Sequence, residues 1–251
     1  MDMKKIIAGA KGSQNGVYRT ASPLSMLFAS ATSGGKNVFY VLMMYAGYMA
    51  NEGYGIAVAV TGIIMTVKTI FDGACDPVVA AIFDRMPVGR LGKMRKFLLI
   101  GYGTTSLAAL LMYRLLACKF DGIVGLIVFC AIFALFVVGY TILSIGGTSI
   151  PTILTNDPKQ RPFLNFTATL YQYVAPLLLN TILAFRILPA HNNRYDAACL
   201  AEACLVYIVI AVVFMLLSFI GLAPVDNEEV LGELMSLNGK NKKIGFKEMW
   251  N

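Results

Sequence analysis

Three ionisable side chains lie within one long apolar stretch of the sequence, at successive spacings of four residues. Lys68, Asp72 and Asp76 all fall between residues 55 and 83, where most other side chains are apolar or small. This spacing places the three on one face of a helix. An ionised side chain near the middle of a membrane costs about 2.5 to 3.5 kcal/mol. We therefore expect this face to point into a protein interior or a water-filled cavity.

The two carboxylates form a candidate cation site. Asp72 and Asp76 would lie about 6 Å apart on the helix, and two negative charges so close favour a retained proton or a bound cation. Their oxygens are hard ligands and His191 is the only histidine, so Na+ or H+ is expected rather than a transition metal. No resident metal or other cofactor is predicted. Alternatively, a salt bridge between Lys68 and Asp72 only fixes helix packing, which leaves Asp76 without a role.

Polar residues in two other apolar stretches are candidates for binding a polar solute. Lys36 follows Ser33, Gly34 and Gly35, whose small size lets a helix bend or a ligand approach. Alternatively, Lys36 extends its ammonium group to the cytoplasmic surface. The other stretch contains several hydroxyl groups, whose oxygens could bind a cation or a polyol. Alternatively, they only form hydrogen bonds between helices. These residues are Tyr140, Thr141, Ser144, Thr148 and Ser149.

The segment from Asp84 to Lys96 is rich in basic residues and glycine. Basic residues anchor the cytoplasmic side of a membrane protein. We also interpret this segment as a cytoplasmic gating loop, in which basic side chains hold acidic groups or the carboxyl ends of helices. The residues assigned to the gating loop are Asp84, Arg85, Gly89, Arg90, Gly92, Lys93 and Arg95.

The composition of the chain indicates that these residues are carried by membrane-spanning helices. Of 251 residues, 57% are hydrophobic and 14% are charged, about half the charged fraction of a soluble domain. Helices are expected because lipid cannot satisfy the open edges of a sheet. The predicted fold class is an all-α membrane protein with a bundle of six transmembrane helices. Six apolar stretches, each near the length of about 20 residues that a span requires, lie at 24–50, 55–83, 97–117, 123–150, 163–188 and 198–222.

The distribution of basic residues predicts the orientation of this bundle. Of the 21 Lys and Arg residues, 15 fall in segments on one side of the predicted helices and 4 on the other. Because basic residues concentrate on the cytoplasmic side, we expect a cell-membrane protein with both termini in the cytoplasm. The predicted units are a cytoplasmic tail at 1–23, the bundle at 24–222 and a cytoplasmic segment at 223–251.

Several classes of protein are poorly matched by this sequence. The net charge of +7 does not gather on one basic face, so nucleic-acid binding is not expected. The five cysteines form no Cys-x-x-Cys pair, and no nucleophile with its base, phosphate-binding loop or metal cluster is visible. The chain is therefore not expected to be an enzyme.

The acidic pair and the basic segment resemble a known family of transporters. The stretch Phe71-Asp-Gly-Ala-Cys-Asp-Pro77, followed by Gly89-Arg-Leu-Gly-Lys-Met-Arg-Lys96, is similar to the glycoside-pentoside-hexuronide:cation symporters, the melibiose permease branch of the major facilitator superfamily. The resemblance implies cation-coupled sugar transport by alternating access. By position, it implies that Asp72 and Asp76 bind the coupling cation and that the Thr141 hydroxyl assists them.

The same resemblance implies a solute site that differs from that of the melibiose permease. Cys75 stands where the permease has an asparagine that contributes to cation selectivity, so Na+ and H+ both stay possible. Lys36 matches a lysine at the sugar site. Asn37, Ser144 and Thr148 replace an acid next to that lysine, and an acid and an aromatic residue on the fourth helix, which implies a solute less similar to the permease sugar.

The resemblance also implies that the chain corresponds to one half of a larger fold. Family members have twelve helices in two halves of six, and this chain is similar to the amino-terminal half. A missing carboxy-terminal half and a homodimer of half-transporters are both compatible with the symmetry of the family. The other partners expected are membrane lipids and a small polar solute.

The function predicted from the sequence is cation-coupled symport of a sugar or related polar solute. Two alternatives are open. One is a proton-coupled transporter of a non-sugar metabolite or drug, which would use the same acidic pair. The other is a non-transporting membrane interaction protein or a truncated remnant.

Overall fold

The computed structural model describes residues 20–87, 89, 92–155 and 157–226. All regular secondary structure in these residues is helical, which confirms the predicted all-α class. The terminal parts of the predicted tails, 1–19 and 227–251, and Arg90 of the gating loop lie outside the described residues. The long helices are α1 (Pro23–Tyr54), α2 (Val58–Arg85), α3 (Lys93–Leu110), α4 (Gly122–Leu154), α5 (Arg161–Ile182) and α6 (Ala197–Leu222).

Two of these helices continue beyond a change in their hydrogen bonding. α3 is followed by a π-helical turn at Leu111–Leu115. α5 is followed by a π-helical turn at Leu183–Ile187 and a further short helix at Leu188–Ala190. Each therefore extends as one helical segment beyond its α-helical part.

Local sequence sets several helix ends. α1 begins where the Ser22 hydroxyl accepts a hydrogen bond from the Ser25 N–H at 3.1 Å, with Pro23 supplying its fixed φ in the first turn. It ends at Gly55, whose φ of 63° is the left-handed conformation that closes many helices. At the start of α6, Asp196 Oδ1 accepts from the Cys199 N–H at 2.7 Å.

α1 lies at the centre of the bundle. It contacts α4, α5 and α6, and its most extensive contact is with α6. Hydroxyl groups bond across these contacts: Thr32 bonds to Ser218 of α6, and Ser30 Oγ lies 2.8 Å from Thr167 Oγ1 of α5. Polar residues of α1 are thereby satisfied inside the bundle, as buried polar groups must be.

Two glycines let helix backbones approach closely. A Cβ atom at Gly221 of α6 would overlap the backbone of Ala29 in α1. A Cβ atom at Gly139 of α4 would lie 2.8 Å from the backbone nitrogen of Thr105 in α3. Small residues at such crossings are typical of helices packed within a membrane.

In the part of the chain that the structure describes, five of the six long helical segments are long and apolar enough to cross a membrane. α1 is not among them, although it has 32 residues, because it carries many hydroxyl groups, glycines, Lys36 and Asn37. A helix surrounded by other helices does not need an apolar outer surface, and most residues of α1 are buried. The prediction of six spans therefore stays a prediction.

α2 occupies an outer position in the bundle. Within the described residues it packs mainly against α4, and only Thr61, Val79 and Phe83 along its length are buried. This helix carries the three ionisable residues of the candidate cation site. Their surroundings are therefore set by α4 and by the open side of α2.

Candidate cation and solute site

A salt bridge connects two of the three ionisable residues of α2. Lys68 Nζ lies 3.1 Å from Asp72 Oδ2, and the side chains are 17% and 27% exposed. The contact follows from the sequence, because residues four apart on a helix are neighbours. Since both groups are largely removed from solvent, the ammonium lowers the cost of holding the carboxylate inside the bundle.

The second oxygen of Asp72 is held by α4. The Thr141 hydroxyl lies 2.9 Å from Asp72 Oδ1 and 3.0 Å from the carbonyl oxygen of Val137. A hydroxyl has one hydrogen to donate, so Thr141 donates to only one of these oxygens at a time. When the hydrogen points to Val137, the lone pairs of Thr141 Oγ1 are available next to the Asp72 carboxylate.

Asp76 and Cys75 lie one turn further along α2. The Asp76 residue is exposed, and no salt bridge to it is present in the described part of the chain. Cys75 is partly buried. The two carboxylates therefore have different surroundings. Asp72 is held between Lys68 and Thr141, whereas Asp76 faces the open side of α2.

A groove of about 400 Å³ runs along the boundary between α2 and α4 next to the salt bridge. Among the described residues that line the groove, Lys68 is the only charged one. The other lining residues are apolar or small: Val60, Ile63, Ile64, Val67 and Phe71 from α2, and Leu126, Cys130, Phe133, Ala134 and Val137 from α4. The Lys68 side chain therefore has open space beside it, but this space offers no second carboxylate.

The predicted solute residues lie where α1 crosses α4. Thr32 of α1 faces Gly147 of α4, where an added Cβ atom would lie 3.7 Å from Thr32 Cγ2. Two turns further along α1, the ring centroids of Tyr40 and Tyr140 are 6.4 Å apart. Because the helices run antiparallel, Lys36 and Ser144 fall at the level between these two contacts. The crossing brings the candidate residues of both helices to one level of the bundle.

Two of the predicted solute residues bond within their own helices. Asn37 is buried, and its amide nitrogen donates to the carbonyl oxygen of Ser33 at 2.8 Å. Thr148 is exposed, and its hydroxyl donates to the carbonyl oxygen of Ile145 at 3.0 Å. In each case the side-chain oxygen keeps acceptor capacity, while Lys36 forms no salt bridge with a described residue.

A cluster of tyrosines, which no local sequence pattern predicts, lies at the other end of α1. In the structure the Tyr195 ring, which precedes α6, lies 5.9 Å from the ring of Tyr45 and 5.4 Å from that of Tyr48. The Tyr45 hydroxyl donates to Asn180 Oδ1 of α5 at 2.9 Å. No sequence pattern predicts this cluster, because its residues come from three segments that are distant in the sequence.

The candidate gating loop connects α2 to α3 and contains a helix cap that the sequence did not reveal. Asp226, four residues after the end of α6, is fully buried. Its carboxylate accepts hydrogen bonds from the backbone N–H groups of Lys93 at 2.9 Å, Met94 at 3.2 Å and Arg95 at 2.7 Å. The Arg95 side chain donates to the Asp226 carbonyl oxygen at 2.8 Å. This cap explains why α3 begins at Lys93, before the predicted start at residue 97.

The remaining residues of the loop take different positions. Gly92 has a φ of 79°, and a Cβ atom there would overlap Asp226. Lys93 is buried, with its ammonium donating to the Asp84 carbonyl oxygen at 3.2 Å and lying 4.5 Å from the centre of the Phe83 ring. The remaining described loop residues lie nearer the surface: Asp84 and Arg85 are exposed and Gly89 is partly buried.

The helices and the charged groups held between them define a multi-pass membrane protein with the architecture of a transporter. The family model described as MFS/sugar transport protein matches residues 27–250, and the chain belongs to this family. Its members are transporters and not enzymes, so the expectation that the chain is not an enzyme is confirmed.

Two proteins of Escherichia coli (strain K12) are similar to the chain. It is 25% identical over 124 residues to the putative glycoside/cation symporter YagG and 26% identical over 125 residues to the inner membrane symporter YicJ. Each match covers 49% of this chain and 26% of the relative, so the matched part spans about a quarter of the length of these proteins. The resemblance inferred from the sequence is confirmed at the level of the family.

Proposed function

We propose that the protein is a cation-coupled symporter, or one half of one, which carries a sugar or related polar solute by alternating access. The observation that supports this most directly is the Asp72 carboxylate, held in an apolar helix by Lys68 at 3.1 Å and by Thr141 at 2.9 Å. A bound cation stabilises a carboxylate in this setting, because the cation offsets the hydration that the carboxylate has lost. Asp76 and Cys75 complete the proposed cation site.

The Thr141 hydroxyl adapts the site to its occupant. In the absence of a cation it donates its hydrogen to Asp72. With a cation bound it donates to the Val137 carbonyl oxygen instead and presents a lone pair to the ion, at no loss of hydrogen bonding. Asp72 and Thr141 would then supply two of the oxygens that Na+ prefers, or Asp72 alone would accept a proton.

Coupling between cation and solute follows from their shared helix. Thr141 and Ser144 of α4 are three residues apart, which is about 4.5 Å along a helix axis. A cation that fixes the rotation of α4 at Thr141 also fixes the hydroxyl of Ser144 at the α1 crossing. The solute must affect cation affinity by the same factor, because coupling of binding is reciprocal.

The proposed solute site consists of Lys36, Asn37, Ser144 and Thr148. Their ammonium, amide and hydroxyl groups match the hydrogen-bonding groups of a sugar or a similar polar solute. The description of one relative as a glycoside/cation symporter supports the same class. A proton-coupled transporter of a non-sugar solute is the second candidate, favoured by Cys75, since a thiol is a poor ligand for Na+.

We further propose how the chain lies in the membrane. α1 forms the sixth span inside the other five, and both termini, with the gating loop, lie on the cytoplasmic side, as the basic residues predict. In this proposal, residues 24–222 form the transmembrane bundle, and residues 1–23 and 223–251 are cytoplasmic segments. The open side of α2 would face the helices of a second half, or a second copy of this chain, across the solute path.

Uptake by the full-length gene product in liposomes tests the function. The probes are a radiolabelled galactoside, glucuronide and pentoside, each with an inward gradient of Na+ or of protons. We expect one gradient to stimulate uptake of at least one probe, and Asp72→Asn and Asp76→Asn to remove that stimulation. Asp121→Asn, an exposed acid before α4, is the matched control and should keep it.

Two outcomes would contradict different parts of the proposal. Unchanged stimulation in both Asp72→Asn and Asp76→Asn would exclude the acidic pair as the cation site. A second outcome is that no gradient stimulates uptake, but Na+ still stabilises the purified protein against heat and Asp72→Asn removes this stabilisation. This outcome would support the cation site and exclude the three solute classes.

A further inference from the structure

We infer that the Lys68 ammonium is a built-in competitor of the coupling cation, which occupies Asp72 in the ion-free protein and must leave it before the cation binds. This inference rests on the proposed function, because it assumes that a cation binds at Asp72. It adds a role for Lys68 in setting the affinity for that cation.

Both oxygens of Asp72 are engaged in the structure. Oδ2 lies 3.1 Å from Lys68 Nζ, and Oδ1 accepts from Thr141. Thr141 can redirect its hydrogen to Val137 and release Oδ1 without losing a bond. Among the described residues, the Lys68 ammonium donates a hydrogen bond to Asp72, and because an ammonium is a donor only, it needs another acceptor when it is displaced.

The position of Lys68 makes it an efficient competitor. Its ammonium is tethered one helical turn from Asp72, so it returns to the carboxylate without the entropy cost that a free ion meets. A cation from solution must displace a partner that is always present. The apparent affinity for the cation is therefore lower than Asp72 and Thr141 would give by themselves.

The groove between α2 and α4 shows where the displaced side chain can go. Lys68 forms part of its wall, and the volume of about 400 Å³ is ample for the end of a lysine. The rest of the lining is apolar or small, with no carboxylate. An ammonium that moves into this space loses its counter-ion, so its displacement costs free energy and weakens cation binding further.

Asp76 does not provide a second partner for the displaced ammonium. Asp76 lies eight residues from Lys68, about 12 Å along the helix axis, and no salt bridge between them is present in the described part of the chain. The Lys68 ammonium therefore competes with the cation at Asp72 only. The two carboxylates differ in function, because a cation must displace Lys68 from Asp72 but not from Asp76.

Sodium titration of the purified full-length protein in detergent tests this inference. Thermal unfolding is followed as NaCl replaces choline chloride at constant ionic strength, which holds charge screening constant. We expect Lys68→Met to lower the half-saturating Na+ concentration roughly tenfold, since an ion pair that keeps some exposure to solvent is stronger than a fully exposed one and weaker than a fully buried one. Lys68→Arg keeps the competing charge and should stay close to the original value.

If the coupling ion is H+, the same variant is read from the pH dependence of uptake. Without the competing ammonium, half-maximal uptake should need a lower proton concentration, so the midpoint of that dependence should move to higher pH. Lys119→Met, an exposed lysine between α3 and α4, is the matched control and should change neither readout. Lys68→Gln replaces Lys68→Met if the methionine variant does not fold.

The possible failures are distinguishable. If Lys68→Met and Lys68→Gln bind Na+ no more tightly than the unchanged protein and leave the pH midpoint in place, Lys68 is a packing residue and the inference is wrong. If neither the unchanged protein nor any variant responds to Na+ or to a proton gradient, the proposed symport itself is wrong.

Discussion

α2 and α3 are consecutive helices of similar apolar character, yet α3 is much more buried in the bundle than α2. α3 buries much of its length against α4 and α6, including Met94, Phe97 and Leu98. α2 packs mainly on α4 and leaves Ile63 and Ile70 exposed. Apolar composition therefore indicates that a helix belongs in a membrane, but does not indicate whether its neighbours are protein or lipid.

This difference in packing means that the residues of the candidate cation site and the contacts that stabilise the bundle lie largely on different helices. The ionisable residues of the candidate cation site lie on α2, where few apolar contacts hold the helix. A loosely packed helix can move with low cost, which suits a site that must open and close. The contacts that hold the rest of the bundle lie in α1, α3, α4 and α6, so substitutions there should affect unfolding more strongly than substitutions on α2.

The largest effect is expected at the closest helix crossing. Gly221→Ala places a methyl group against the backbone of Ala29, and overpacking of this kind should lower the free energy of unfolding by about 3 kcal/mol. The free energy is measured by titration with SDS in mixed micelles. Gly62→Ala on α2 is the control, because no described atom outside the adjacent helix backbone lies within 4 Å of a Cβ added there. Equal losses in the two variants would contradict the contrast between α2 and the other helices.

The second effect concerns the cap that joins α6 to α3. Asp226→Asn weakens three hydrogen bonds to backbone N–H groups and the contact with Arg95. We expect a loss of about 2 kcal/mol in the same titration, the usual range for hydrogen bonds to a charged group. Asp121→Asn is the matched control, since this acid also precedes a helix but its side chain caps nothing. A harmless Asp226→Asn would show that α3 does not depend on the cap.

A smaller effect is expected from a hydrogen bond between α1 and the end of α3. The buried Tyr54 hydroxyl donates to the Met112 carbonyl oxygen at 2.9 Å. Tyr54→Phe removes this bond while keeping the ring, so the free energy of unfolding should fall by about 1 kcal/mol. Tyr173→Phe, an exposed tyrosine of α5, should have no measurable effect. If both variants unfold at the same SDS concentration as the unchanged protein, the hydrogen bond of Tyr54 does not stabilise the fold.

The smallest effect is expected on the open side of α2. Ile70 is 71% exposed, so Ile70→Ala should change the free energy of unfolding by no more than about 0.5 kcal/mol. The same titration of the full-length protein measures it. A much larger loss would mean that another helix covers α2 in the folded protein, and would sharpen the comparison by locating the surface of a second half or a second copy.

Much of the candidate site could be predicted where it depends on neighbours in the sequence. The contact of Lys68 with Asp72 follows from their spacing of four residues, because the helix itself brings them together. The pairing of Thr141 with Asp72 was expected only through the family resemblance, since nothing in local sequence links a residue of α4 to one of α2. Asp226 was missed altogether: it contacts Arg95 across 131 residues of sequence, and a lone acid after a helix carries no signal for a distant cap.

The sequence by itself determined that this protein is helical, that it belongs in a membrane and that α2 carries a charged face, because these properties depend on composition and on spacings within one helix. Tertiary structure alone decided that the polar α1 lies at the centre, that Thr141 of α4 reaches Asp72 of α2, and that Asp226 caps the start of α3. Those outcomes depend on which helices become neighbours, and that choice is made by packing over the whole bundle, where small residues and satisfied polar groups set the closest approaches.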